Sequence, residues 1–436
     1  MIKTIGIRRE DKNEWERRVP LVPADVKELH EKYGIRILIQ PSKIRVFTDE
    51  EYLKAGAEVR EDLQEADIIF AVKEIPLHLL EKNKTYVFFS HTIKGQPYNM
   101  DLLKRLMELE CNLIDYELIA DADDKRLITF SGYAGLAGVI ETLHAFGRKM
   151  ELSGYTTPFS ELLQAYQYTS LEDAKAHIRK IGEMIAENGL PEELTPLTVG
   201  FLGYGNVSKG AQEMFDLLPF TTIEPSQLEA LTTNGKNDVD NHCLYKVVFK
   251  EEDIVKPLHG EFNLDEYFNY PERFESIFYN YIPYLQVLVN CVYWTEDYPR
   301  FVTKENLKKD NSEIERSGLR VIGDITCDID GSIEITREST KPDKACYTYY
   351  AENDKFVDGI QDSGVTVMAI DNLPCEFPRE ASEEFSRELK MLVNGIANAD
   401  YAADFDATNL PPEVKKATIL YKGCLTEKLN YLKKFI

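Results

Sequence analysis

Two apolar runs in the N-terminal third stop abruptly at an ionisable residue: "ADIIFAVKEIP" at Lys73 and "TYVFFSHTIK" at His91. Parallel α/β sheets bind ligands beyond the carboxyl ends of their strands, so a lysine and a histidine at two such ends can share one crevice. That pair suits proton transfer if burial or a neighbouring charge brings the lysine's pKa down. Glu74, Asp115 and Glu117 are the candidate neighbours. Taken singly, either residue reads more readily as ordinary charge at a strand end that meets solvent. "WERRVPLVP" follows the first strand and sets Arg17 and Arg18 at the same crevice edge, where a guanidinium can grip a carboxylate in bidentate fashion. A solvated surface pair is the competing reading of these arginines.

A second constellation lies near the middle of the chain, in "GFLGYGNVSKG". The apolar "LTVGFLG" predicts a strand, "GYGN" a turn, and "SKGAQEMFDLL" a helix with apolar residues at helical spacing. This is the order a pyrophosphate site demands. Gly203 permits the tight turn, Gly205 lets the backbone approach the anion, and the free amides at the helix start hold it. Ser208 stands where a third glycine is usual, a position that needs a small residue. Tyr204, Asn206 and Val207 complete the turn. The ribose contact is expected at the end of the next strand, where "PFTTIEP" presents Glu224. A carboxylate there accepts from a free 2′-hydroxyl and repels a 2′-phosphate, which favours NAD over NADP. No arginine occurs between Arg179 and Arg273 to reverse that preference, although Lys209 stands nearby.

Other patterns fail on chemistry. "TCDIDGSIEITR" has Thr326 and Arg337 where a calcium loop needs an acidic first ligand and a final glutamate, so Asp324 and Asp328 are expected instead to line the crevice of the second domain. The seven histidines form no H-x-x-x-H or H-E-x-x-H pair, and no metal is expected. Seven cysteines scattered over 436 residues, with no C-x-x-C, read as those of a reducing cytosol. An acceptor reading of Asn206-Val207-Ser208 falls with that, since N-glycosylation matters only in a secreted chain. The start "MIKTIGIRRE" has neither a secretory apolar core nor a transit pattern, and a cytoplasmic protein is expected.

Positioning these residues requires alternating strands and helices. Strands are predicted in "KTIGI", "IRILIQ", "ADIIFAV", "TYVFF" and "CNLID", with helices over 24–32, 49–55 and 99–110, making a doubly wound domain that closes near residue 130. In "GYAGLAGVIETLHAFGRKM", Gly132, Gly135 and Gly138 lie one helical turn apart and allow a close-packed neighbour. A second α/β region continues through "YLQVLVNCVYW" and "LRVIGDITCD". Between them 234–273 is polar and acidic, with "NGKND" as a turn signal, and is read as an elaboration on an outer edge. With 51 basic against 75 acidic residues, a net charge of −24 repels a phosphate backbone, so nucleic acid is not an expected partner. No apolar stretch approaches the ~20 residues of a membrane span.

With these residues placed, the chain resembles the lysine–2-oxoglutarate reductase module of the bifunctional aminoadipic semialdehyde synthases. The likeness rests on "GIRREDKNEWERRVPL", "LIQPS", "KTYVFFSHTIK", "LIDYE", "GNVSKGAQ", "VYW", "DGSIE" and "AIDNLPCEFPREASEEF", and runs over essentially the whole chain. More distantly the chain is similar to lysine-forming saccharopine dehydrogenases and alanine dehydrogenases. The resemblance implies two Rossmann-like doubly wound α/β domains with an active-site cleft between them. It places a substrate and catalytic domain at 1–135 plus about 374–436, and a dinucleotide-binding domain at about 136–373. The implied reaction condenses the ε-amine of L-lysine with 2-oxoglutarate and reduces the imine to saccharopine, or runs the reverse. Lys73 and His91 fall on the family's acid–base pair and Arg18 on its carboxylate-binding arginine. Glu74 and Glu117 match acidic residues that tune the pair, and Arg126 matches a further substrate-contacting arginine. Gly203, Gly205, Asn206 and Val207 match the cofactor turn, while Asp324, Asp371, Asn372 and Leu373 lie toward the nicotinamide. The family implies NADPH where Glu224 argues for NAD, so the expected cofactor is NADP or NAD. The saccharopine-oxidising half of the bifunctional enzymes is not represented, so only the condensing reduction or its reverse is expected. A homo-oligomer, and a separate glutamate-forming saccharopine dehydrogenase as pathway partner, remain compatible. The alternatives are a dehydrogenase for another amine, or a non-catalytic regulator that binds NAD(P) or lysine on the same scaffold.

Overall fold

A computed structural model describes residues 4–233, 239–310 and 318–436. The chain divides into two compact units, one formed by Met1–Phe130 with Pro378–Ile436 and the other by Ser131–Phe377.

The first unit begins with six short strands: β1 (Ile5–Ile7), β2 (Ile37–Ile39), β3 (Glu58–Val59), β4 (Ile68–Phe70), β5 (Thr85–Phe88) and β6 (Asn112–Asp115). All are parallel, and their spatial order is β6-β5-β4-β1-β2-β3. Helices α1 (Pro23–Tyr33), α2 (Asp49–Lys54) and α3 (Pro97–Glu108) connect them. Their ends are set locally. Proline starts α1 and α3, a Thr48/Glu51 capping box starts α2, and Gly34 closes α1 in the left-handed region. The two-residue β3 is too short to show any periodicity in the sequence.

The second unit opens on the 22-residue α4 (Ser131–Leu152), followed by α5 (Leu171–Asn188), β7 (Thr198–Leu202), α6 (Asn206–Phe215), β8 (Phe220–Thr222) and α7 (Leu228–Thr233). Next come β9 (Leu244–Phe249), α8 (Glu251–Ile254), β10 (Val255–Pro257), α9 (Leu264–Asn269) and β11 (Phe274–Ser276). The unit continues with β12 (Val287–Asn290), α10 (Lys304–Asp310), β13 (Val321–Asp324), β14 (Cys346–Tyr350), β15 (Lys355–Asp358) and β16 (Val365–Met368). Its main sheet runs β15-β14-β16-β13-β12-β7-β9-β8, parallel from β16 to β8, with β14 and β15 antiparallel at the far edge. The expectation of a peripheral elaboration over 234–273 is corrected in part. Residues 244–249 form β9, a buried strand paired directly with β7, while β10 and β11 form a separate two-stranded sheet. "NGKND" lies outside the described residues.

From Pro378 the chain supplies the rest of the first unit: α11 (Pro378–Ala397), α12 (Pro412–Lys416), β17 (Thr418–Tyr421) and β18 (Cys424–Leu425). β17 lies antiparallel on β6, extending the first sheet to eight strands. Among the described residues no helix is long and apolar enough to cross a membrane.

The glycine spacing in α4 has a specific cause. A β-carbon on Gly135 would run into the carbonyl oxygen of Val207 in α6, and one on Gly210 of α6 would run into the carbonyl oxygen of Gly132. The two helices therefore meet backbone to backbone. Gly135→Ala should destabilise the second unit by about 1–3 kcal/mol, read from denaturant unfolding, because neither backbone can yield to the added carbon.

α4 also carries Glu141 into the core, where its carboxylate accepts from Ala165 N at 2.6 Å and Gln164 Nε2 at 3.1 Å. Glu376, 4 % exposed, has no hydrogen-bond partner on either carboxylate oxygen among the described residues. Burial, with the neighbouring Glu141 charge, pushes its pKa well above the ordinary glutamate value. Its stabilising contribution is therefore full below that ordinary value. As pH rises, the unfolded chain releases the proton while the folded one must keep it, and the contribution is lost. Glu376→Gln should accordingly melt higher than the parent chain at mildly alkaline pH, with the advantage shrinking toward acid. Parallel melting curves at every pH would contradict this.

Candidate functional site

In the first unit β4 and β5 are adjacent and parallel, so the residues that follow them emerge side by side. Glu10 shapes the first of these ends by accepting from Val72 N at 2.6 Å and Lys73 N at 3.0 Å. Past β5 the chain turns sharply at His91, whose φ of 50° lies in the left-handed region that β-carbon-bearing residues rarely occupy. Three contacts hold that turn. Ser90 N donates to the Asp115 carboxylate at 3.0 Å, the Ser90 hydroxyl joins the same carboxylate, and Asn99 Nδ2 donates to Ser90 O at 3.0 Å. Burial pushes Asp115 up to about 6.

This backbone brings the His91 ring to Glu74, with Nδ1 2.5 Å from Oε1. Lys12 Nζ lies 3.4 Å from the other oxygen of Glu74. Burial alone would raise the Glu74 carboxyl, but the His91 imidazole and the Lys12 charge outweigh it and hold its pKa down to about 2. His91, Glu74 and Lys12 thus form one polar network beside Lys73. Arg126 and Glu117 form a second pair at 3.8 Å.

Of the two arginines, Arg17 points outward and donates to Ile44 O at 3.2 Å. Arg18 departs from the surface reading. It is 2 % exposed, meets Glu16 through Nε at 2.8 Å and Nη2 at 2.6 Å, and lies over the Phe130 ring at 4.1 Å. Its bidentate geometry is therefore already turned toward a protein carboxylate.

In the second unit the glycine turn forms as its residue types require. Gly203 has φ 85°, and its amide donates to Phe249 O at the end of β9. Gly205 is the N-cap of α6, and no side chain caps that helix start. A β-carbon on Gly205 would find no atom within 4 Å. Ser208 is fully buried in α6, as a small residue substituting for glycine should be. Gly203, Tyr204, Gly205, Asn206 and Val207 line a cavity of about 550 Å³. Open space over Gly205 and uncapped amides at a helix start fit the phosphates of a dinucleotide, and the volume is that of a small-molecule site.

The remaining expected cofactor residues lie elsewhere. Asp324 ends β13 fully buried, bound by Asn290 Nδ2 at 2.8 Å, Thr336 Oγ1 at 2.5 Å and Cys327 N at 3.2 Å, and burial pushes it up to about 6. Leu373 is a core residue, Asn372 starts a short 3₁₀ turn, and Asp371 is exposed. The placement of Glu224 beside the glycine turn is corrected. It follows β8, which β9 separates from β7, and its side chain is exposed, while its backbone amide donates to Gln227 Oε1 at 2.8 Å. The cavity wall instead includes Glu251, Tyr267, Phe268, Trp294 and Tyr298. Glu251 carried the signal already used for Lys73, an apolar strand stopping at charged residues, in "LYKVVFKEED". Lys12 and Asn99 carried none, because only the folded loops bring them to Glu74. Among the described residues no group of three or more His, Cys, Asp and Glu side chains is arranged to hold a metal ion.

Residues 6–137 match the N-terminal domain of the alanine dehydrogenase/PNT family. Over 98 % of its length the chain is 38 % identical to an alpha-aminoadipic semialdehyde synthase of Arabidopsis thaliana, of which it covers 41 %. It is 25 % identical to a saccharopine dehydrogenase (NAD(+), L-lysine-forming) of Neurospora crassa, over 89 % of this chain and 90 % of that one. Among solved structures, an L-alanine dehydrogenase matches with a TM-score of 0.60 at 17 % identity, over 99 % of this chain and 100 % of that one, which is a likeness of fold. The chain spans less than half the length of the semialdehyde synthase it matches.

Proposed function

Because the chain is 38 % identical, over 98 % of its length, to part of an alpha-aminoadipic semialdehyde synthase, we propose that it is a nicotinamide-dependent reductase. In this reading it condenses L-lysine with 2-oxoglutarate and reduces the imine to saccharopine, or catalyses the reverse. The observation that carries the proposal is that relationship, joined to a strand-end network suited to proton transfer. All seven cysteines are free, which supports a reducing compartment such as the cytoplasm.

The condensation needs protons delivered and removed, since a carbinolamine must form and lose water. Glu74 is ionised at neutral pH, so the short contact to His91 requires Nδ1 to donate. Nε2 is then the ring nitrogen that takes and returns protons. Lys73 is the second proton-exchanging group, its backbone anchored by Glu10. Arg126 and Arg18 are the cations assigned to the substrate carboxylates. For Arg18 this means the substrate shares or displaces Glu16, and the buried guanidinium is strong enough for that exchange because a carboxylate replaces a carboxylate. NADPH or NADH would supply the hydride, and Gly203, Gly205 and the start of α6 would hold its phosphates.

Mixing the protein with lysine, 2-oxoglutarate and either reduced nucleotide should deplete nicotinamide absorbance faster than a control without amine. A panel with ornithine and ammonia separates the amine readings, and no depletion above the control with any amine would end the proposal. His91→Ala and Lys73→Met should each lower kcat by about 10²–10⁴ while leaving nucleotide binding intact, as loss of a proton-transfer group predicts. A near-parental rate in either variant would remove that residue from the mechanism.

A further inference from the structure

The topology of the second sheet decides which carboxylate meets the sugar next to the phosphates. In the usual dinucleotide fold the strand after the phosphate-binding helix returns beside the first strand, and its end carries the ribose contact. Here the strand after α6 is β8, and it goes to the outer edge. The strand that pairs with β7 is the next one, β9. The register places Leu202 opposite Phe249, and Gly203 N donates to Phe249 O at 3.1 Å, so the glycine turn is bonded to the end of β9 itself. Two residues further on stands Glu251.

Resting on the reading of the second unit as the dinucleotide-binding one, we propose that Glu251 is the residue that selects a free 2′-hydroxyl, making the protein specific for NADH over NADPH. Four observations carry this. Glu251 lines the same cavity as Gly203 and Gly205. The Tyr204 hydroxyl, from inside the glycine turn, donates to Glu251 Oε2 at 3.0 Å and fixes the carboxylate beside the turn. Among the described residues no lysine or arginine lines the cavity to neutralise a 2′-phosphate. The wall beyond Glu251 is aromatic, with Phe268 51 % and Tyr293 73 % exposed, so that ring faces stand ready for a purine. A carboxylate here accepts from ribose hydroxyls and repels a phosphate dianion across a few ångströms. Glu224 lies outside this cavity wall, past the end of the edge strand β8.

Binding, separate from turnover, tests the assignment. Trp294 lies in the cavity wall, so quenching of tryptophan emission in the full chain can report dissociation constants for NADH and NADPH. The parent chain is expected to prefer NADH by about tenfold or more, the scale of one carboxylate acting on a phosphate dianion. Glu251→Ala and the size-conserving Glu251→Gln should bring the two constants close together, chiefly by tightening NADPH. Glu224→Ala should keep the preference. Equal or tighter binding of NADPH by the parent chain would overturn the proposal, and so would a preference that survives in both Glu251 variants or disappears with Glu224→Ala. Binding of neither nucleotide would overturn the dinucleotide reading beneath it, whereas turnover with NADPH preferred would leave the reductase reading standing and sink only the role of Glu251.

Discussion

A parallel strand buried on both faces has one place for polar chemistry, its end. β5, β6, β7, β12, β13 and β16 are buried at every position and mostly apolar, with their polar residues, Thr366 in β16 apart, at the first or last position of the strand. Charge and hydrogen-bonding capacity are therefore expelled to the residues just past the carboxyl ends, where the backbone leaves the ladder. Lys73 and Glu74 after β4, His91 after β5, the glycine turn after β7 and Glu251 after β9 are all products of that one constraint. The loops then need their own supports, and the structure supplies them as buried acceptors: Glu10 under Val72 and Lys73, and Asp115 under Ser90.

Because the constraint acts on sequence composition, its products were legible in the sequence. An apolar run that ends in an ionisable residue marks Lys73, His91 and, on the same rule, Glu251. The glycine turn was legible for a different reason, since Gly203 adopts a positive φ and Gly205 must stay bare. Strand order was not legible. Nothing in "PFTTIEP" shows that β8 passes over the place beside β7 and leaves it to β9, so spacing along the chain pointed to Glu224. The packing of Arg18 was equally hidden, because its partners Glu16 and Phe130 meet it only after folding. Likewise the pairing of β17 with β6 joins segments separated by the whole second unit, a contact that periodicity does not encode.

Buried acids recur away from these strand ends, and they divide by how they are satisfied. Asp324 takes three donors and anchors the turn after β13. Glu141 takes two. Among the described residues Glu376 takes none, and burial beside the Glu141 charge favours its neutral form. A carboxyl group kept this way contributes packing without charge, provided the surroundings stay dry. The same chain thus uses one functional group as a hydrogen-bond hub and as a filler, according to the donors within reach.

The backbone contact between α4 and α6 at Gly135 and Gly210 helps to set the amides at the start of α6. Gly135 and Gly210 leave nothing between the two helices but main chain. Substitutions elsewhere in the core can therefore drift, shrink or regrow over evolutionary time without displacing the start of α6, because its position is referenced to atoms every residue shares. The start of α6 is in this sense insulated from changes of side chain elsewhere in the unit. The exposed aromatic wall of the same cavity has no such reference and is free to diverge.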